Sequence, residues 1–237
     1  MITIVIPAYN EEAVIEKAIL HLNANVKLGE EFEILVINDG SADGTGKILE
    51  KIGKKVSRLR VLSHKKNRGF GEGIKSGIAA AKGRIIVTMD ADMTHPPELV
   101  EKMVKQIDSG KDVCIASRYV RGGGMRNVPL WRVLLSIFTN LAFSAIFLTP
   151  TRDLTGGYKA YRANLVKKVK ITRNDFSVQM EIIVDLLKRK ARISEIPLVL
   201  SNRELGESKF NFGKNAPRYI RAVVDLFFYR WFSGLKK

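Results

Sequence analysis

The sequence predicts an α/β fold with a mostly parallel central sheet, and three observations carry that prediction. Short β-branched runs alternate with helix-length segments as far as Ala116, the pattern of crossover-linked parallel strands. The runs, such as Ile85-Ile86-Val87-Thr88-Met89, are apolar throughout, as strands covered on both faces are. Polar clusters at Pro7–Glu12, Asn38–Thr45, Asn67–Gly73 and Asp90–Asp92 each follow a strand run. They should therefore share one carboxyl edge, where open α/β sheets bind their ligands.

Taken in order, Ile2–Ile6 reads as a strand and Glu11–Asn25 as a helix, with Asn10 placed to cap it. Glu11 and Glu12 suit that helix's positive end. Phe32–Ile37 is a strand, Asp43–Val56 a helix, Arg60–Ser63 a short strand and Gly73–Ala81 a helix. Arg84–Met89, Pro97–Ile107 and Val113–Ala116 continue as strand, helix and strand. The alternation breaks at the flexible Arg121-Gly122-Gly123-Gly124. Val133–Leu148 follows without a charge, short of the roughly 20 residues of a membrane span. Arg132, Ser136, Asn140 and Ser144 recur every four residues, so they form one polar stripe on an apolar helix. That suits a buried helix with a polar seam, or an interfacial helix whose stripe faces a polar site. Asp153–Tyr161 reads as loop and strand, Asn164–Lys168 as a short helix, Val178–Lys190 as an amphipathic helix and Arg192–Leu200 as a strand. In Pro217–Lys237, apolar and aromatic residues recur at helical spacing among Arg and Lys. The tail fits a membrane-surface helix or a terminal helix docked on the core.

At 237 residues, 46% hydrophobic and 27% charged, the chain is globular and long enough for one large core. The single Cys114 makes no internal disulfide, and the chain opens directly on a strand, so no secretion signal is expected. A net charge of +16 calls for anionic partners: nucleic acid, a membrane surface or phosphorylated substrates. The basic residues are scattered, with local concentrations at Lys51–Arg60 and Lys167–Arg173. A nucleic-acid binder expects a basic stripe interleaved with aromatics, so nucleic acid is not the expected partner.

Asp90 and Asp92, two apart beyond a strand end, can converge on one hard cation, Mg²⁺ or Mn²⁺, holding a diphosphate. The alternative is a solvated turn whose second Asp caps the helix near Pro96-Pro97. Asp39 is placed to accept hydrogen bonds from a base or ribose. His21, His64 and His95 read as structural, with His95 beside the acidic pair. Glu181 is either a sugar-hydroxyl ligand or a solvated helix position.

Together Pro7-Ala8-Tyr9-Asn10-Glu11, Asn38–Thr45, Asn67-Arg68-Gly69 and Asp90-Ala91-Asp92 resemble the successive signatures of the family 2 glycosyltransferases. Met89–Glu98, Ala116–Tyr119, Asp153–Arg162 and Arg203–Phe210 are similar to the dolichol-phosphate (polyprenol-phosphate) mannosyltransferase branch. The resemblance spans nearly all of residues 1–215, a catalytic domain that includes an interfacial helix at 129–148, with an amphipathic helix at 216–237. It implies a GT-A, Rossmann-like nucleotide-sugar-binding fold with interfacial amphipathic helices. The implied reaction is inverting, metal-dependent transfer of a hexose, mannose from GDP-mannose first, to a polyprenyl or dolichyl phosphate. UDP-glucose as donor, or a glycan acceptor, stays open.

By resemblance, Pro7, Tyr9, Glu11 and Asp39 hold the base and ribose, and Asp90, Ala91 and Asp92 bind the metal-diphosphate. Arg203, Ser208 and Lys209 embrace the diphosphate, while Arg118, Arg132 and Ser136 take the acceptor phosphate. Asp92, Arg118, Arg132 and Lys209 are the implied catalytic set. Thr94 stands where the family often has a metal-binding Gln. The implied location is the cytoplasmic face of an anionic membrane, peripheral or anchored by a segment or subunit outside this sequence. A nucleotidyltransferase shares the layout but expects a basic glycine-rich loop after its first strand, where this chain carries the acidic Pro7–Glu12.

Overall fold

A computed structural model describes residues 1–201 and 212–232, with side chains at 1–201 and 218–232. Seven strands form one sheet: β1 (Ile2–Ala8), β2 (Phe32–Asn38), β3 (Leu59–Ser63), β4 (Ile85–Thr88), β5 (Val113–Ser117), β7 (Lys159–Arg162) and β8 (Ile193–Pro197), in the order β3-β2-β1-β4-β7-β5-β8. All run parallel except β7, which is antiparallel to both β4 and β5. Alternate strand residues feed two cores, as the pleat requires. Ile4, Val36 and Val87 pack with α1 (Ile15–Asn25), α2 (Thr45–Gly53) and α4 (Glu98–Asp108). Val5, Leu35, Ile86 and Ile115 pack with α3 (Phe70–Ala80) and α7 (Val178–Lys188) on the other side.

The remaining elements are β6 (Gly124–Met125), α5 (Leu130–Phe147), α6 (Ala163–Val166), β9 (Val199–Leu200) and α8 (Phe212–Phe232). Several differ from the sequence reading for identifiable reasons. Helix α1 starts at Ile15, because Asn10 sits at φ 51° and its Oδ1 accepts the Ala42 N–H instead of capping. The run 192–200 is two strands. At Leu198 the chain passes from the Ser117 carbonyl to the Gly124 amide, and β9 pairs with β6 in a second small sheet. The glycine stretch is thus partly ordered as a strand. Helix α7 is buried throughout Val178–Leu186 and is not amphipathic, since α8 covers its outer side. Helix α8 begins at Phe212, so the expected boundary at 215/216 falls inside a helix.

Helix α5 begins three residues before the uncharged run and at 18 residues is long and apolar enough to cross a membrane. Only 17% of it is buried, which excludes a core helix. Of its polar stripe, Ser136, Asn140 and Ser144 face the protein while Arg132 is exposed, and Leu130, Trp131, Leu134, Phe138 and Leu141 face outward.

Candidate active site

The parallel register of β2, β1 and β4 brings three strand ends together, pairing Ala8 with Asn38 and Val5 with Thr88. The loops beyond them interlock. Glu11 N–H donates to Thr45 Oγ1 at 2.8 Å, Asn10 N–H to Ser41 Oγ at 3.0 Å, and Gly44 N–H to Glu12 Oε2 at 2.6 Å. Pro7, Tyr9, Glu11 and Asp39 therefore share one edge. Asp39 is buried, with four contacts from the protein: His64 Nδ1 at 2.6 Å, Arg68 N–H on both oxygens, and Gly69 N–H at 2.8 Å. A carboxylate has about four acceptor positions, so Asp39 is a clamp on the 64–69 loop. Because the carboxylate only accepts, the shared proton is assigned to His64 Nδ1, and Nε2 meets Ser76 Oγ at 3.0 Å. Gly69 follows at φ 97°, and a Cβ there would lie 2.4 Å from the Asn174 carbonyl oxygen. A side-chain-bearing residue fits neither the angle nor the space.

At the end of β4, Ala91 is buried and Asp92 mostly buried. Asp92 Oδ1 accepts from Thr94 N–H at 3.1 Å and Thr94 Oγ1–H at 2.7 Å. The hydroxyl that replaces the family's Gln thus serves the carboxylate itself. Helix α4 has Pro97 at its N-cap and no side-chain cap, so Asp92 does not cap it. His95 Nδ1 accepts the Asp90 N–H at 3.0 Å, and Nε2 lies 3.8 Å from Asp90 Oδ2. Its ring stacks on Tyr158 at 4.6 Å, and the Tyr158 hydroxyl donates to the Pro96 carbonyl. His95 therefore fixes the shape of the acidic turn. Gly157 closes the floor, where a Cβ would stand 3.2 Å from Asp90 Oδ1. Among the described residues, no cluster of three or more His, Cys, Asp or Glu forms a metal cage. Two hard carboxylates instead suit a cation that completes its shell with phosphate oxygens and water.

The reversed strand β7 supplies the other wall. Because Lys159 pairs with Thr88 at the carboxyl end of β4, the preceding loop 151–158 lies at the same edge. There Arg118 donates to the fully buried Asp153 from Nε (2.8 Å), Nη2 (2.7 Å) and its own N–H (3.1 Å). Nη2 also reaches Thr155 Oγ1 at 2.9 Å. Burial alone would raise the Asp153 carboxyl, but the Arg118 charge and hydrogen bonds outweigh it and hold it below the usual range. Ser136 Oγ lies 2.6 Å from the Tyr119 hydroxyl, beside Arg118. One turn earlier, Arg132 is exposed with its guanidinium over the Trp131 ring. Ser136 and Arg118 thus meet through Tyr119, and Arg132 stands at the outer end of the same stripe. Arg203, Ser208 and Lys209 lie outside the described residues.

Three residues here escaped the sequence reading. Asp153 and Thr155 stand in a quoted motif, but only the fold shows that they hold Arg118. Lys159 is fully buried, its Nζ bonded to the Leu154 carbonyl (2.9 Å) and to both Gln179 oxygens (3.4 Å each). Burial pulls its pKa down to about 7; it stands in the same motif, Asp153–Arg162, but nothing in the sequence sets it apart as buried. Glu181 is neither solvated nor a free ligand, since it is buried and accepts from Thr172 and Arg173 backbone N–H groups.

Outside this edge, α8 packs on α5 and α7, with Phe143 stacked on Tyr219 and Trp231 Nε1 donating to the Ile146 carbonyl. Ile220, Val224, Phe228 and Phe232 of α8 remain exposed, as does the outer side of α5.

A family model described as glycosyl transferase family 2 matches residues 3–170. A dolichol-phosphate mannosyltransferase of Pyrococcus furiosus is 32% identical over 228 residues, covering 95% of this chain and 63% of that protein. A polyprenol monophosphomannose synthase of Mycolicibacterium smegmatis is 31% identical over 229 residues, 94% of this chain and 85% of its own. The chain thus spans under two thirds of the Pyrococcus relative. Among solved structures, glucosyl-3-phosphoglycerate synthase of Mycobacterium tuberculosis, crystallised with Mn²⁺, UDP and glucosyl-3-phosphoglycerate, superposes with a TM-score of 0.72. It is 21% identical and covers 97% of this chain and 79% of that one. The likeness establishes the GT-A fold.

Proposed function

Because the chain belongs to glycosyl transferase family 2, we propose that it transfers a hexose, mannose first, from a nucleotide sugar to a polyprenyl phosphate. The names of the Pyrococcus and Mycolicibacterium relatives favour that acceptor and that sugar. The observation that carries the reading is one juxtaposition. The acidic turn Asp90-Ala91-Asp92 and the polar stripe of an outward-apolar helix flank the same loop, 151–158. A donor diphosphate fits the first, and the phosphate of a membrane-borne lipid fits the second.

In this reading Pro7, Tyr9 and Glu11 hold the base and ribose, with Asp39 acting through the Arg68–Gly69 loop it clamps. Asp90 and Asp92 would hold Mg²⁺ or Mn²⁺, which when bound neutralises charge on the leaving diphosphate. Arg203, Ser208 and Lys209 are proposed to embrace that diphosphate from the other side. Asp153 fixes the guanidinium plane of Arg118 through Nε and Nη2, so Nη1 is the group available to the acceptor phosphate. Arg132 and Ser136 add a second charge and a hydroxyl. An acceptor phosphate oxygen attacks the anomeric carbon, the bond to the diphosphate breaks, and the nucleoside diphosphate leaves with the electron pair. The acceptor is already ionised near neutral pH, so no general base is required. Orientation of the two phosphates supplies the protein's main contribution.

The exposed faces of α5 and α8 would lie in the interface of an anionic membrane on its cytoplasmic side. Basic residues close to such a surface add about 1 kcal/mol each. The test is transfer of radiolabelled sugar from GDP-mannose or UDP-glucose to a short-chain polyprenyl phosphate, with Mg²⁺, Mn²⁺ or EDTA. The expected result is a lipid-soluble product from GDP-mannose that disappears with EDTA. Product from UDP-glucose alone reassigns the sugar. Donor binding without any lipid product overturns the acceptor.

A further inference from the structure

We infer that Asn140 is the positioning residue that sets the acceptor phosphate against the donor site, an assignment that rests on the function proposed above. Asn140 lies on α5, the helix with the outward apolar side, yet its own side chain is 1% exposed. Its Oδ1 accepts the N–H groups of Leu154 (3.0 Å) and Thr155 (3.3 Å). Its Nδ2 donates to Thr155 Oγ1 at 3.1 Å and to the Ser136 carbonyl at 3.0 Å. The Thr155 hydroxyl in turn receives Arg118 Nη2 at 2.9 Å. One amide therefore joins the three parts that meet the acceptor: the helix carrying Arg132 and Ser136, the loop carrying Thr155, and the guanidinium of Arg118.

The chemistry of the position requires an amide. Its neighbours present two N–H donors on one side and two oxygen acceptors on the other. Only a side chain that accepts and donates at once satisfies both; a carboxylate cannot donate and an alkyl group can do neither. The platform is also fixed from beneath, because Lys159 Nζ holds the Leu154 carbonyl whose N–H Asn140 holds. Leu154 is thus pinned at both backbone groups, and Gly157 follows three residues later against Asp90. The height and rotation of α5 are passed through this rigid loop to the acidic turn. Asn140 touches neither substrate in this arrangement and acts through Arg118, Thr155 and Ser136.

The experiment uses the full chain on vesicles carrying polyprenyl phosphate, comparing wild type with Asn140→Leu and Asn140→Asp. Asn140→Leu keeps the branched shape at somewhat greater bulk and removes every side-chain hydrogen bond, while Asn140→Asp keeps the acceptor and removes the donor. The expected result is a KM for polyprenyl phosphate raised at least about tenfold in Asn140→Leu, and by less in Asn140→Asp. Affinity for the donor nucleotide, read separately by calorimetry, should stay within about twofold. If Asn140→Leu does not fold, Asn140→Asp carries the same split on its own. Donor affinity falling in step with acceptor use, or an unchanged acceptor KM, overturns the assignment. A wild type that makes no lipid product defeats the proposed function itself, and the role of Asn140 with it.

Discussion

The two walls of the site are built by opposite means. The donor wall is made of loops at the carboxyl ends of β1, β2 and β4, held by many bonds from one loop to the next around buried groups such as Asp39. The acceptor wall is a surface helix and a loop, joined by a few buried polar ties, Arg118–Asp153 and Asn140 foremost. The donor wall therefore inherits the rigidity of the sheet. The acceptor wall has to carry its own fixing points because one side of it faces outward. Damage to the first should appear as lost chemistry, and damage to the second as lost stability, lost surface binding or weakened use of the acceptor.

The largest effect is expected at the donor wall. Asp92→Asn should cut transfer on the order of a thousandfold, the rate equivalent of several kcal/mol. A loss under tenfold would remove Asp92 from the diphosphate site. At the acceptor wall Arg118→Met leaves Asp153 buried and unpaired, which costs about 3–5 kcal/mol. Urea unfolding of Arg118→Met with Asp153→Leu should recover most of that stability, while transfer stays low. Recovery of activity together with stability would make Arg118 purely structural.

On the outer side of α5, Phe138→Ala should weaken sedimentation with anionic vesicles by about 1.5–3 kcal/mol. Its effect on urea stability should stay within roughly 0.5 kcal/mol, since Phe138 is exposed. Equal loss in both assays would mean that α5 packs against protein there. The smallest effect concerns Lys159, whose pKa falls to about 7 in the fold from the usual 10.5. Between those values the unfolded chain binds more protons than the native one, so stability rises with pH. The slope should reach about 1 kcal/mol per unit between about pH 8 and 9, and Lys159→Met should abolish it. A wild-type curve that is flat there would show that Lys159 keeps its charge in the fold.

Legibility in the sequence followed the same division. The donor wall was readable because each cluster directly follows an apolar strand run, so sequence order alone put Pro7, Asp39 and Asp90 on one edge. Its internal economy was not: that Asp39 spends its carboxylate on His64 and the 64–69 loop depends on a contact across 25 residues. From the residues alone the acceptor wall was readable only as a stripe on α5, with Arg118 and the segment Asp153–Arg162 added by resemblance, since a four-residue period shows a shared face without showing what that face meets. Asp153, Thr155 and Lys159 gained their partners from the reversed direction of β7, which no local pattern encodes. The same limit applied at 192–200, where one apolar run serves two sheets because its neighbours, not its own residues, decide the pairing.

The reversed strand also has a consequence for how the chain is made. β4 and β5 are consecutive in the large sheet's chain order, but they never pair; the slot between them belongs to β7. On the ribosome, β3-β2-β1-β4 can assemble early, leaving the edge of Ile85–Thr88 bare until Lys159–Arg162 emerges. An apolar edge of that kind templates pairing with other chains. Completing the acceptor platform and hiding that edge are therefore one folding event, and a nascent chain stalled before β7 is both inactive and adhesive.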